Sequence, residues 1–512
     1  GSLQGAGVTV ASGAALQVAS NVTAAAALTV NGAGTFQVTA GTFDVNGQTV
    51  SIGAGFATGG SGTLTMQNPA DDLTLSGPAT FAGGNTGGLL TNGTLRFTGT
   101  VMSATGQAFD ATASHTTVLG AASGSNYITW SSPVAGHGLR HLTFQNAGSH
   151  SLESNMYITG NVTFAASVSS IVTGSYHIYV GGNIIDNSSI SGGAWQAGAV
   201  VHLAGTPTTL PGTLKVNTLQ FEGGATVPLP GDLMANYVVV DGAGTNLKLN
   251  GHLLKGLTSV VSFTTQNGGT LEMSTGADSL DFRYMYFNGG STAGLLTKGA
   301  IVFSSFEQGR NGPFSPVPGA SPSAFAPSAG VRAHAGGVGI YFKDPGSGPG
   351  FSHFWHLQPD GAAPYLTTDV FVDSILVFEN TGAGLQSDSA AQGRVRKVTT
   401  NGVLNSGTFG ATLTGVSVLL NGSVANSTFF NSVTWTGFPA GYTGTLFEQN
   451  RATNGTTLNF HNFSAITVSG GGKFVSNTGA AGLTLGASNA GLSGTLSACT
   501  TGGLLGTGQG CP

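Results

Sequence analysis

Residues 35–52 read Thr35-Phe36-Gln37-Val38-Thr39-Ala40-Gly41-Thr42-Phe43-Asp44-Val45-Asn46-Gly47-Gln48-Thr49-Val50-Ser51-Ile52. Three triplets in this stretch alternate apolar, polar, apolar: Phe36-Gln37-Val38, Phe43-Asp44-Val45 and Val50-Ser51-Ile52. A period of two belongs to a strand with one buried face. The intervening Asn46-Gly47 supplies the positive φ of a tight corner without strain. The pattern recurs upstream at Val8-Thr9-Val10, Leu16-Gln17-Val18 and Leu28-Thr29-Val30. Counted from the first apolar residue of each unit (Val8, Leu16, Val22, Leu28, Phe36, Phe43, Val50, Leu64, Leu73, Phe81, Leu95), the spacing is about seven residues. Antiparallel sandwiches space their strands by roughly 8–12 residues, so seven is too tight for them. It suits three short strands per turn of roughly 20–25 residues, stacked in parallel as a β-solenoid.

Further Asn-Gly corners stand at Asn31, Asn92, Asn250, Asn401 and Asn421. Past residue 100 the coils lengthen, and related units recur, such as Asn161-Val162-Thr163-Phe164 and Gly182-Asn183-Ile184-Ile185. Tyr127, Trp130, Phe144, Tyr157, Tyr176, Tyr179 and Trp195 gather here. They read as an aromatic ladder inside the coil, or as a sugar-binding platform. From Gly309 to Pro364 nine prolines crowd the chain. Proline removes ladder donors, so the stretch reads as an irregular insertion. The fold expected is all-β, a right-handed parallel β-helix with a Pro-rich insertion. Its expected segments are 1–120 (regular solenoid), 121–308 (longer coils), 309–365 (insertion), 366–490 (C-terminal solenoid) and 491–512 (Gly-rich cap).

Composition narrows the function. Of 512 residues only 7% are charged and 85 are Gly, against averages of about 25% and about 7%. With a net charge of −5 there is no basic field to hold nucleic acid or anionic lipid. No apolar run reaches the 18 residues of a membrane-spanning helix. The two cysteines, Cys499 and Cys511, are read as a disulfide closing the final segment, which implies an oxidising compartment.

Segments such as Ala27-Leu28-Thr29-Val30-Asn31-Gly32, Thr42-Phe43-Asp44-Val45-Asn46-Gly47 and Gly160-Asn161-Val162-Thr163-Phe164 resemble secreted bacterial β-solenoid surface proteins, the autotransporter passengers and filamentous-haemagglutinin-like adhesins. The resemblance is one of repeat style over roughly residues 1–300 and 366–490. It implies a right-handed coil, export, and a role in adhesion or in building surface structures. It carries no catalytic motif.

Chemistry has few places to reside. Polysaccharide-active β-helices need several carboxylates converging on one face. The best set here is Asp369 and Asp373, in phase on an expected strand, with Glu379 beyond them. His353, His356 and Asp360 could ligate a metal, although an HxxH outside a helix does not fix ligand geometry. Asp71-Asp72 could form a Ca²⁺ turn. No P-loop, GxSxG, HExxH or CxxCH sequence occurs, and no cofactor is expected.

The strand pattern opens at Val8 and Val10 with no amphipathic helix before it. An unpaired strand edge invites strand addition, and a nearly uncharged exterior offers little repulsion. The expected function is therefore a non-enzymatic, extracellular structural or adhesive surface protein. It would associate with its own copies, with surface glycans as a further class of partner. The alternatives are a carbohydrate-active β-helix enzyme and a solenoid that binds a receptor or ligand.

Overall fold

A computed structural model describes residues 1–303 except 121–124, 146–148, 169, 189–197 and 259–260, and beyond that chiefly the strands. Among the described residues every regular element is a strand, and every pairing is parallel in the registers that follow. The chain divides into two compact units, Gly1–Val239 and Val240–Pro512, a boundary for which the sequence gives no signal.

The first unit is a coil with three faces. One turn runs through Thr35–Val38, Thr42–Asp44 and Thr49–Ile52, and then returns as Gly55–Thr58 one level on. On one face the register passes through Leu28, Val50, Leu73, Leu95, Thr117, Leu142, Val162 and Ile184. Successive partners lie 20 to 25 residues apart, the turn length expected from the seven-residue spacing. The second face aligns Phe36, Phe56, Ala79, Met102, Ile128 and Leu152. The third begins as Phe43 beside Leu64, continues through the bridged Met66, Leu90 and Ala111, and ends as Ile158, Val180, Leu203 and Phe221. The fold is thus a parallel β-solenoid.

The period of two does what it promised. Phe36, Val38, Phe43, Val45, Val50 and Ile52 are fully buried inside the coil. Phenylalanines continue one another from turn to turn. Phe36 stacks on Phe56 at 6.1 Å, Phe56 meets Phe81 at 5.5 Å, and Phe81 meets Phe109 at 4.8 Å. Each ring contributes about 1.5–3 kcal/mol by burial, and each pair adds about 0.5–1.5. At the corner, Asn46 and Gly47 both take positive φ, 53° and 73°. The outward faces carry short neutral side chains bonded level to level: Ser76 with Thr98 (3.1 Å), Thr80 with Ser103 (3.2 Å) and Thr105 with Ser131 (2.8 Å).

In the second unit Ser262–Gln266, Tyr284–Asn288 and Ser305–Gln308 pair in order. So do Ser279–Asp281, Lys298–Phe303, Gly330–Gly336, Ser352–Asp360 and Val370–Val377. The proline-crowded stretch therefore contributes strands to the stack, more than the insertion reading allowed. Of its nine prolines only Pro359 stands on a described strand, opposite Ala335.

The two units share a passage that the spacing argument overlooked. Thr63-Leu64-Thr65-Met66, Gly83-Gly84, Thr86-Gly87-Gly88-Leu89-Leu90-Thr91 and Ala108-Phe109-Asp110 match Thr270-Leu271-Glu272-Met273, Gly289-Gly290, Thr292-Ala293-Gly294-Leu295-Leu296-Thr297 and Ala324-Phe325-Ala326. Their bonds match too. Leu89 N donates to Thr86 O (2.8 Å) as Leu295 N does to Thr292 O (2.9 Å), and Phe287 meets Phe325 at the same 4.8 Å as Phe81 meets Phe109.

Candidate functional site

Titratable and aromatic side chains collect on the third face of the first unit. Met156–Ile158, His177–Val180, Val200–Leu203 and Thr213–Phe221 are neighbours there. Their inward positions (Met156, Ile158, Ile178, Val180, Val201, Leu203) are buried. The alternate positions place Tyr157, Tyr179, His202 and Gln220 in one column. Tyr157 stacks on Tyr179 at 4.4 Å and 15°, and Tyr179 on His202 at 4.2 Å and 20°.

The far end of the column is closed by hydrogen bonds. His202 Nδ1 lies 2.9 Å from Glu222 Oε2, and His202 Nε2 lies 2.7 Å from His177 Nδ1. Gln220 Nε2 also donates to Glu222 Oε2 at 3.0 Å. An ionised carboxylate only accepts. His202 therefore donates from Nδ1, and its Nε2 shares one proton with His177 Nδ1. The chain of hydrogen bonds ends at His177. Burial first, then the neighbouring Tyr157 and Glu222, hold the Tyr179 phenol above its ordinary pKa, so it remains protonated. At the other end Asp110, buried, accepts from His137 Nδ1 at 2.8 Å and from Gly138 N at 3.3 Å. His137 thereby becomes a second oriented imidazole.

A glycosidase needs two carboxyl groups about 5–9.5 Å apart. Asp110 and Glu222 stand five levels apart along this face, about 24 Å at the usual strand spacing. Among the described residues no group of three or more His, Cys, Asp or Glu is placed to hold a metal ion. What the column offers is a ring stack flanked by oriented hydrogen-bonding groups.

The residues singled out from sequence fall elsewhere. His353, His356 and Asp360 stand on one strand, Ser352–Asp360, at positions opposite Phe371, Ile375 and Gly336. Asp373 lies in Val370–Val377 where the register slips. Phe354 and His356 pair with Val372 and Ile375, so one extra residue stands in this strand beside Asp373. Asp369, Glu379, Cys499 and Cys511 lie outside the described residues. Val8 pairs with Val30, and Val10 is buried, its N–H donating to Asn31 O at 2.8 Å. Asp71 accepts from the Gly47 and Asn68 amides, and Asp72 pairs with Arg96 at 3.1 Å. Both carboxylates of the suspected Ca²⁺ turn are thus taken up by donors of the chain itself.

Of the aromatic residues grouped in the sequence, Trp130 and Phe144 are core, Tyr127 is exposed, and Tyr157 and Tyr179 form the outward stack. Trp195 lies outside the described residues. The column was readable only in part, since 157, 179 and 202 follow one another at turn-length intervals while the next member, Gln220, comes after 18 residues. No family model, curated protein or solved structure matches the chain.

Proposed function

We propose that this chain is a non-enzymatic structural and adhesive protein of a cell surface, exported, and associating with copies of itself into a fibre or surface layer. The observation that carries this reading is the exterior of the solenoid. Its outward positions bear Thr, Ser, Asn and Gln bonded from level to level, as in Gln17 with Gln37 (3.3 Å) and Asn85 with Gln107 (2.8 Å). Parallel faces with neutral side chains bonded from level to level present surfaces that no charge field drives apart. Export agrees with the resemblance in repeat style and with the two late cysteines. Surface glycans are the partners that such an adhesive protein would meet.

Electron microscopy and sedimentation across protein concentration and salt test the proposal. Association should rise with concentration and change little between low and high salt, because few charges are available for screening. Monodisperse single particles under all conditions would overturn it.

A further inference from the structure

We propose that the level of Gly138, at the open end of the Tyr157–Tyr179–His202 stack, binds one pyranose ring of a neutral glycan. This rests on the adhesive reading above and names its partner. Gly138 stands beside Tyr157 on the preceding coil. A Cβ built there would lie 2.5 Å from Tyr157 O and 3.6 Å from Tyr157 Cβ, and the next residues along, Leu139 and Ile158, are bridged. Later coils fill this outward position with Tyr157, Tyr179, His202 and Gln220 in turn. At Gly138 the position has no side chain. The rings of the stack repeat at 4.4 and 4.2 Å, close to the spacing of the strands that carry them, so a guest ring on the free face of Tyr157 would continue the same repeat. Among the described residues the only ring stacked on Tyr157 is Tyr179, on the side of the later coil.

The surroundings select the occupant. His137 precedes Gly138, and its side chain is 40% exposed. Its Nδ1 is committed to Asp110, whose carboxylate is 6% exposed, so Nε2 remains as an oriented acceptor for a hydroxyl. Arg140 is engaged elsewhere, donating to Ala113 O and Thr159 O at 2.8 Å each. A pyranose uses both features, its C–H face against the tyrosine and a hydroxyl on His137. An aromatic guest would leave the imidazole unused. Arg140 is turned to main-chain carbonyls, and the one nearby carboxylate, Asp110, would repel an acidic sugar.

The test is a titration of the full chain, by calorimetry and saturation-transfer NMR, with the neutral hexasaccharides cellohexaose and maltohexaose. Oligogalacturonate and tryptophan amide serve as comparisons. At least one neutral sugar should bind. Tyr157→Ala should weaken it about tenfold, the loss of roughly one good ring contact. His137→Ala should weaken it severalfold, and Tyr127→Ala, on a different face, should leave it unchanged. Tyr157→Phe keeps the ring and should retain binding, which separates loss of the stack from loss of fold. The inference is overturned if neither neutral sugar binds, if Tyr157→Ala binds like the parent chain, or if only the acidic sugar or tryptophan amide binds. Particle assembly scored by microscopy on the same Tyr157→Ala sample should be intact. Failure of sugar binding is thereby read separately from failure of self-association.

Discussion

Acid should loosen this solenoid from inside, and His115 should account for a measurable share. Its side chain is fully buried against Phe109, ring centroids 6.0 Å apart. Nδ1 lies 2.8 Å from Asn92 O, which only accepts, so the neutral ring carries its proton there. Nε2 has no partner. A second proton would place a charge in a dry site with nothing to receive it. Burial lowers the pKa from 6.5 to about 4, opposed by the Asn92 carbonyl and assisted by His141. The unfolded chain takes up this proton near pH 6.5 while the folded chain resists it until about pH 4. Above pH 6.5 the group therefore has no effect. Stability falls between these values by up to about 1.4 kcal/mol per pH unit and levels off below pH 4. At pH 4.5 the loss is about 2–3 kcal/mol. Urea unfolding at pH 7.5, 6.5, 5.5 and 4.5 measures it, followed by tryptophan emission, since Trp130 packs on the same Phe109 at 6.0 Å. His115→Gln keeps a donor toward Asn92 O and cannot titrate. Burial also lowers the pKa values of His150 and His141, so the variant should retain a shallower acid slope. Equal slopes in parent and variant would refute the reasoning.

Four further outcomes are expected. His150→Phe should raise the melting temperature, with a gain of about 1 kcal/mol, because the imidazole is buried 5.2 Å from the Phe144 ring with the Gln145 main chain as its polar contact; a lower melting temperature would show that the site is polar for a reason. Phe81→Ala should cost about 3–5 kcal/mol in denaturant unfolding, since it opens a cavity between Phe56 and Phe109. Asp278→Ala should cost about 1–3 kcal/mol and speed amide exchange at Gly251, Ser274 and Thr275, whose N–H groups it accepts at 2.5, 2.6 and 2.8 Å. Asp110→Ala should leave a folded coil but broaden the His137 ring signals in NMR, as the imidazole loses the carboxylate that orients it; a fold lost outright would contradict this.

The architecture was legible because it depends on local rules. Alternation at Phe36–Val38, corners at Asn46-Gly47 and a turn length near 22 residues are all written within a few neighbouring residues, and the structure repeats them turn after turn. The site was not legible for the same reason in reverse. Tyr157, Tyr179, His202 and Glu222 become neighbours only when successive turns of unequal length, 22, 23 and 18 residues from Tyr157 to Gln220, are stacked in register. A mean period fixes the fold, but which outward residues meet depends on each coil's actual length. The proline argument failed locally on similar grounds. Proline forbids a ladder bond at its own nitrogen only, and Ser352–Asp360 still forms with Pro359 next to its end.

The shared passage in the two units acts as an internal comparison. Where both copies keep a residue, its role is the coil's own. Thr86 and Thr292 are both fully buried, and each hydroxyl accepts a main-chain N–H from the following coil, Asp110 N at 2.7 Å and Ala326 N at 2.9 Å. Asp71 and Asp278 both take the amide of the glycine in an Asn-Gly corner. Where the copies differ, the coil's requirements do not dictate the residue. Asp110 and Ala326 occupy the same place on the same hydroxyl, so the coil closes equally well without a carboxylate. Burying Asp110 costs desolvation that alanine avoids, and its return is the oriented His137 beside the unfilled level at Gly138. What distinguishes this copy is therefore a carboxylate that ties down the Gly138 main chain and orients an imidazole at the surface.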